Sequence, residues 1–212
     1  MTYLSRVEIN INRRDTVRAL SSPQILHAAI AGSFPATQES GRTLWRIDTI
    51  GNHTYILLLS SAKPDFTHVV EQFGWPTSEQ QWGTKDYGVL LSRIAVGQTW
   101  RFRLCANPTH SERSSDGSRG RVYAHVTVEQ QRKWLLDRAE KHGFALDPDK
   151  FDVMSSEQRQ FRRGGGTVTI GTAVFEGLLR VTDADAFKSA LVNGIGRAKA
   201  YGCGLITIER AL

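Results

Sequence analysis

Cysteines, membrane-length apolar runs and metal-ligand spacings are what this sequence has little of. Only Cys105 and Cys203 occur among 212 residues, too few for the disulfide framework of a small secreted fold. Neither belongs to a CxxC pair or has a histidine at zinc-ligand spacing, so each is expected to be a buried or incidental thiol standing alone. The 6 histidines are scattered, with no HExxH and no close His/Asp/Glu cluster. Whatever chemistry the chain performs is expected to need no metal and no other cofactor. No apolar stretch approaches the roughly 18 to 20 residues of a membrane span, and the opening MTYLSRVEIN alternates where a secretion signal is continuously apolar. The expectation is a cytoplasmic protein with no membrane partner.

What is present describes an ordinary globular protein with a basic bias. With 40% apolar and 23% charged residues, the chain has material for one large domain or two small ones, each with a core of its own. Its 27 Lys and Arg outnumber 21 Asp and Glu, for a net charge of +6. Such a balance suits a polyanion, and ERSSDGSRGR (112–121) and QRQFRRGGG (158–166) concentrate the arginines. Charge alone does not separate nucleic-acid binding from loops that are merely solvated.

The pattern along the chain reads as α+β. Residues 3–11 alternate, with Val7, Ile9 and Ile11 on one face, as in a strand with one buried side. A helix over 22–32 is opened by Ser22 and Pro23. TLWRIDTI and TYILLLSS then flank Gly51-Asn52 as a hairpin. Strand, helix and two strands make the opening of a βαββαβ unit. Beyond it come a short helix near 66–73, a strand over 98–107 ended by Pro108, and a helix capped by Thr127 that carries Trp134, Leu135 and Ala139 and stops at Gly143. RRGGGTVTIGTAVFEGLLRVT reads as a glycine-tipped hairpin feeding a strand over 172–181. A helix begun by Thr182 or Asp183, with Phe187, Leu191 and Val192 at helical spacing, precedes a last strand over 204–210.

Between that helix and strand lies GIGRAKAYGCG, residues 194–204. It looks like a phosphate-binding glycine loop, but Rossmann and Walker loops leave a strand and open a helix, and the Walker spacing is missing. A nucleotide cofactor is therefore not expected. Two readings remain: a helix-terminating connector, or a flexible cationic loop. In the second, the backbone at Gly194, Gly196, Gly202 and Gly204 comes close to a sugar-phosphate chain while Arg197 and Lys199 pair with phosphates.

The short helix holds the residue of most chemical interest. On a helical wheel Ile25, Leu26, Ala29 and Ile30 form one apolar arc, with Gln24, His27 and Ala31 opposite, so His27 is expected to face outwards. The small side chains of Ala28 and Ala31 leave room beside it, and a helix N-terminus favours anionic groups. Geometry alone still favours an ordinary surface histidine.

Four stretches carry a resemblance: ALSSPQILHAAIAGSFP (19–35), WRFRLCANP (100–108), FEGLLRVTDADAF (175–187) and NGIGRAKAYGCGLITI (193–208). In this order they resemble the CasE family, the CRISPR repeat endoribonucleases of type I-E systems. The glycine-rich motif alone is shared by wider repeat-processing relatives, and the combination points to CasE. The resemblance implies two tandem ferredoxin-like domains, taken here as 1–92 and 93–212. It implies metal-independent cleavage of precursor CRISPR RNA beside a repeat stem-loop, with the product retained among the other Cascade subunits. His27 falls at the position of the family's catalytic histidine. Some relatives carry tyrosine three residues earlier, where this chain has Gln24.

Imidazole suits such a reaction. Cutting RNA without metal uses the 2′-hydroxyl as nucleophile, so it needs in-line geometry, a base, an acid and positive charge at the phosphate. Only imidazole has an ordinary pKa, roughly 6.5, placed for either proton role near neutrality. His27 can be base or acid, and Gln24 and Lys199 are the candidates for support. Because the major groove of an RNA stem is too deep and narrow for easy readout, the grip is expected on phosphates and shape. Arg162 and Arg163 are the candidates at the hairpin. Arg103 is a weaker one, since a strand arginine can equally make an ion pair with its neighbour. A subunit that holds the stem-loop without cutting it is the alternative function. A small-molecule enzyme would instead need an enclosed polar pocket that no motif suggests.

Overall fold

The computed structural model describes residues 1–35, 43–112 and 121–211. All but the two ends of the arginine-rich stretch 112–121 thus lies outside the described residues. The first half runs β1 (Tyr3–Ile9), α1 (Arg14–Ser21), α2 (Pro23–Ala31), β2 (Leu44–Ile50), β3 (His53–Ser60), α3 (Thr67–Phe73) and β4 (Trp82–Asp86). Its strands form an antiparallel sheet in the order β2-β3-β1-β4. A one-turn helix, α4 (Gly88–Leu91), leads to the second half: β5 (Thr99–Ala106), β6 (Thr109–Ser111), β7 (Val122–Ala124), α5 (Val128–Ala139), β8 (Phe144–Arg163), β9 (Gly166–Val181), α6 (Ala184–Asn193) and β10 (Ile206–Arg210). Here the order is β10-β5-β9-β8, with β6 and β7 paired as a separate ribbon. Taken from the last strand, the two sheets have the same order, that of a ferredoxin-like βαββαβ unit, so the chain is two such domains in tandem.

Local signals explain most elements. Thr127 closes a capping box: its hydroxyl accepts from the Gln130 amide N–H at 3.2 Å while the Gln130 side chain accepts from the Thr127 N–H at 3.4 Å. Asp183, rather than Thr182, caps α6, accepting from the N–H groups of Asp185 and Ala186 at 3.0 Å each. Gly143 ends the turn after α5 at φ 76°, where an added Cβ would meet the Asp183 carbonyl at 2.3 Å. α1, β4, the β6–β7 ribbon and the first half of β8 were not anticipated. In α1 only Thr16 and Ala19 are buried, too few apolar positions to show a period. β8 starts in an Asp- and Pro-bearing stretch and breaks register between Leu146 and Phe151 and again between Val153 and Ser155, which blurs its alternation.

Alternation gives each sheet two distinct faces. In the first sheet Val7, Ile9, Trp45, Ile56 and Leu58 pack under α2 and α3 with Leu26, Ile30, Val69 and Phe73. The opposite face carries Leu44 and Leu59, which join the core of the second domain around Phe102, Leu104, Trp134, Phe175 and Leu191. A buried ionic staple ties the domains across this face. Arg46 of β2, 2% exposed, pairs with Asp48 at 2.6 Å and donates to the Arg103 and Leu205 carbonyls at 2.8 and 3.0 Å and to the Thr207 hydroxyl at 2.8 Å.

Candidate functional site

Three separate segments converge beside α2. Pro23 occupies the first helical turn, where its missing N–H costs nothing, and Leu26 and Ile30 turn into the core. That phase fixes His27. It is half-buried instead of facing solvent, with its ring edge-on to Tyr201 at a centroid distance of 6.5 Å. The wheel placed His27 off the core of its own domain correctly, but that side is covered by a segment from the other domain. Tyr201 closes a 3-10 turn, Lys199–Tyr201, within the glycine-rich connector, and its ring also meets Phe161 of β8 at 4.8 Å. Helix, connector and hairpin arm are thus joined through one tyrosine.

The connector is shaped for packing. Gly194, Gly202 and Gly204 are buried, and Gly194, Gly196, Gly202 and Gly204 all have positive φ, 72°, 87°, 83° and 94°. An added Cβ would meet Leu44 at Gly194, Trp134 at Gly196, Trp45 at Gly202 and Lys199 at Gly204, at 2.9 to 3.1 Å. At Gly194, Gly196 and Gly202 the backbone lies on the buried side chains of Leu44, Trp134 and Trp45, so of the two readings the helix-terminating connector describes these positions. Gly202→Ala is expected to destabilise the protein by about 2 kcal/mol, from the left-handed backbone and the immovable Trp45 ring. A urea denaturation midpoint checks this, and an unchanged midpoint would show that the connector adapts.

The remaining sequence candidates divide by position. Arg197 is exposed on the connector, its guanidinium donating to the Ser111 hydroxyl at 3.5 Å. Lys199 donates to the Asn193 carbonyl at 2.7 Å, placing its ammonium at the C-terminal end of α6. Gln24 is half-buried, and its side-chain oxygen is buried without a hydrogen-bond partner among the described residues. Arg162 is exposed on the strand face opposite Phe161, and for Arg163 only the backbone, paired with Gly166, is described. Arg103 is not brought to this cluster. It lies in a groove on the helix-free faces of the two sheets, between Asp48 at 3.3 Å and Glu176, so the ion-pair reading describes its position.

Two residues were missed. Tyr201 gave no signal because it sits inside a motif read for glycine and charge. Arg159 shares the Phe161 face of β8 and is exposed, paired with Glu157 at 3.1 Å, an arrangement that is weak in water. The two cysteines also turn out not to stand alone. They are neighbours, and their mutual hydrogen bond favours the Cys105 thiolate while it and burial push the Cys203 thiol up. Among the described residues no cluster of three His, Cys, Asp or Glu is placed to hold a metal ion, and no helix is long and apolar enough to cross a membrane.

The fold and the site define the class: a tandem ferredoxin-like protein with a histidine-bearing helix set against a cationic connector and an arginine-bearing hairpin. The particular family follows from comparison: the model described as CRISPR associated protein matches residues 2–210, and the chain belongs to that family. It is similar to the CRISPR-associated endoribonuclease Cse3 of Thermus thermophilus, 26% identical over 97% of this chain and 99% of that protein. It is also similar to the CRISPR system Cascade subunit CasE of Escherichia coli, 32% identical over 55% of this chain and 60% of that one. Among solved structures, Thermus thermophilus Cse3 bound to an RNA representing a pre-cleavage complex superposes with a TM-score of 0.80 at 25% identity, covering 98% of each chain. These relatives bear out the resemblance to CasE.

Proposed function

We propose that this chain is an endoribonuclease that cuts precursor CRISPR RNA beside the repeat stem-loop, without a metal ion, and retains the product as a Cascade subunit. The observation that carries this reading is the convergence of α2, the connector and the β8–β9 hairpin on His27. The similar proteins named as an endoribonuclease and as a Cascade subunit, and the RNA-bound structure, support it.

In this mechanism the RNA lies across α2 with a 2′-hydroxyl in line with the adjacent phosphorus and its 5′-oxygen leaving group. His27 moves one of the two protons, either taking that of the 2′-hydroxyl or giving one to the departing 5′-oxygen. The Tyr201 ring limits the rotation of the imidazole, which keeps its ring nitrogen aimed at the RNA. Arg159 and Lys199 stabilise the charge that builds on the phosphate oxygens. The products are a 5′-hydroxyl and a 2′,3′-cyclic phosphate, which can open to a 3′-phosphate.

The test is incubation of repeat RNA with the protein in EDTA, followed by analysis of the new ends. Cleavage to a 5′-hydroxyl and a cyclic phosphate is expected. Dependence on added magnesium would overturn the mechanism, and tight binding with intact RNA would show a holding subunit instead. A second measurement addresses the grip. Arg159→Ala and Arg197→Ala are each expected to weaken binding of repeat RNA that carries its single-stranded flanks and reduce the slope of log affinity against log salt by about one, because each variant neutralises one phosphate fewer and releases fewer counterions. Unchanged slopes in both variants would put the RNA on another surface.

A further inference from the structure

Where the connector meets β6 and α5, a cavity of about 390 Å³ opens whose lining includes His110, His125, Trp134, Arg138, Gly196 and Arg197 and excludes His27 and Tyr201. Its volume is at the small end of the range for ligand sites, roughly 300 to 1,000 Å³. Two kinds of group meet in it. The first is a platform of rings. His110 stacks on Tyr123 at 5.7 Å and lies 4.9 Å from His125, and Tyr123 remains 40% exposed.

The second is positive charge: Lys133, Arg138 and Arg197 line the cavity with one carboxylate among the described lining residues, Asp137. Arg138 lies over the Trp134 ring at 4.4 Å and donates to the Trp134 carbonyl at 3.0 Å. Neither Arg138 nor Arg197 has a carboxylate within ion-pair distance among the described residues, since Asp137 is held by Lys133 at 2.8 Å. Burial lowers the Arg138 guanidinium from its ordinary value, Asp137 opposes this, and Arg197 adds to the lowering. The His125 imidazole is held below its ordinary value by burial first, then by His110 and Arg138. Two arginines on one cavity wall against a single carboxylate leave a net positive lining, which favours an anion. In addition, the Trp134 indole N–H and His125 Nδ1 are buried with no hydrogen-bond partner among the described residues.

We propose that this cavity holds one unpaired nucleotide of the RNA outside the stem, its base against the His110 and His125 rings, with Tyr123 backing His110 from outside the cavity, and its phosphate against Arg138 and Arg197. The inference rests on the RNA-cleaving reading above and extends it to the path of the single strand. Ring stacking selects an unpaired base, because a base within a stem is already stacked and paired on both sides. The RNA chain is favoured over a free nucleotide by continuity: Gly196 and Arg197 belong to the same connector as Tyr201, so a strand leaving His27 across it reaches the cavity.

The experiment measures binding of three ligands by the full-length protein and by His110→Ala and Arg138→Gln: the stem-loop alone, the stem-loop with single-stranded flanks, and adenosine 5′-monophosphate. The parent is expected to bind the flanked RNA about ten-fold more tightly than the bare stem-loop, the size of one stacked base. Each variant should lose most of that gain and bind the bare stem-loop as the parent does. His110→Ala, at an exposed strand position, keeps the test valid if Arg138→Gln perturbs the packing on Trp134. Equal losses on both RNAs, or no loss on either, would overturn the proposal. Binding of the mononucleotide that His110→Ala abolishes, with no effect of flanks, would assign the cavity to free nucleotides and also overturn it. Failure of the parent to bind the bare stem-loop at all would instead count against the function on which the proposal rests.

Discussion

Replacing His27 with alanine is expected to slow single-turnover cleavage of repeat RNA by roughly 10²- to 10⁴-fold, the effect of removing one positioned proton-transfer group. Binding should change little. His27 is half-buried at the rim of α2, and the core contacts of that helix are made by Leu26 and Ile30. The phosphates and stem shape that set affinity are met by other residues. A substrate-side counterpart removes the nucleophile: a single 2′-deoxy substitution before the scissile phosphate should stop cleavage and leave affinity nearly intact. Gln24→Ala should cost much less than His27→Ala, since an amide has no proton to transfer at neutral pH and the buried Gln24 oxygen makes no hydrogen bond among the described residues. If His27→Ala cuts within a few-fold of the parent, or loses affinity as steeply as rate, the catalytic assignment fails.

The second large effect is on stability. Asp48→Ala should destabilise the protein by about 3 to 5 kcal/mol, the cost of leaving a buried charge without its partner. Arg46 is 2% exposed, and its Nε and a terminal nitrogen donate to the two Asp48 carboxylate oxygens at 2.7 and 2.6 Å. Its other terminal nitrogen reaches the Arg103 and Leu205 carbonyls of the second domain. Loss of Asp48 also leaves Arg103 with Glu176 alone. Chemical denaturation followed by far-ultraviolet circular dichroism measures the change. A loss below about 1 kcal/mol would show that water reaches Arg46 and that the staple holds little.

Much of the site was legible in part. Helix phase placed His27 off its own domain's core, and glycine content marked the connector. Neither reading reached Tyr201, because the contact joins α2 to a turn near the other end of the chain. Arg103 shows the same limit: the sequence offered an ion pair with a strand neighbour as its alternative role, and only the packing of β5 between β9 and β10, opposite β2, set it between Asp48 and Glu176.

By itself the sequence determined the elements whose signals lie within a few residues of one another. The Thr127 capping box, the hairpin turn at Gly51-Asn52, the stop at Gly143 and the inward faces of β1 and α6 belong to this group, since caps, turns and periodicities are short-range preferences of the backbone. Ile11, expected on the buried face of the first strand, instead lies exposed in the turn after it because β1 ends at Ile9. Tertiary structure alone decided which distant groups share a site. It set His27 against Tyr201 and Phe161, joined Cys105 to Cys203, directed the connector glycines into Trp45 and Trp134, and gathered His110, His125, Arg138 and Arg197 around one cavity. The physical reason is that each of these contacts depends on how the two sheets pack, which follows from apolar burial summed over the whole chain and leaves no mark in a local window.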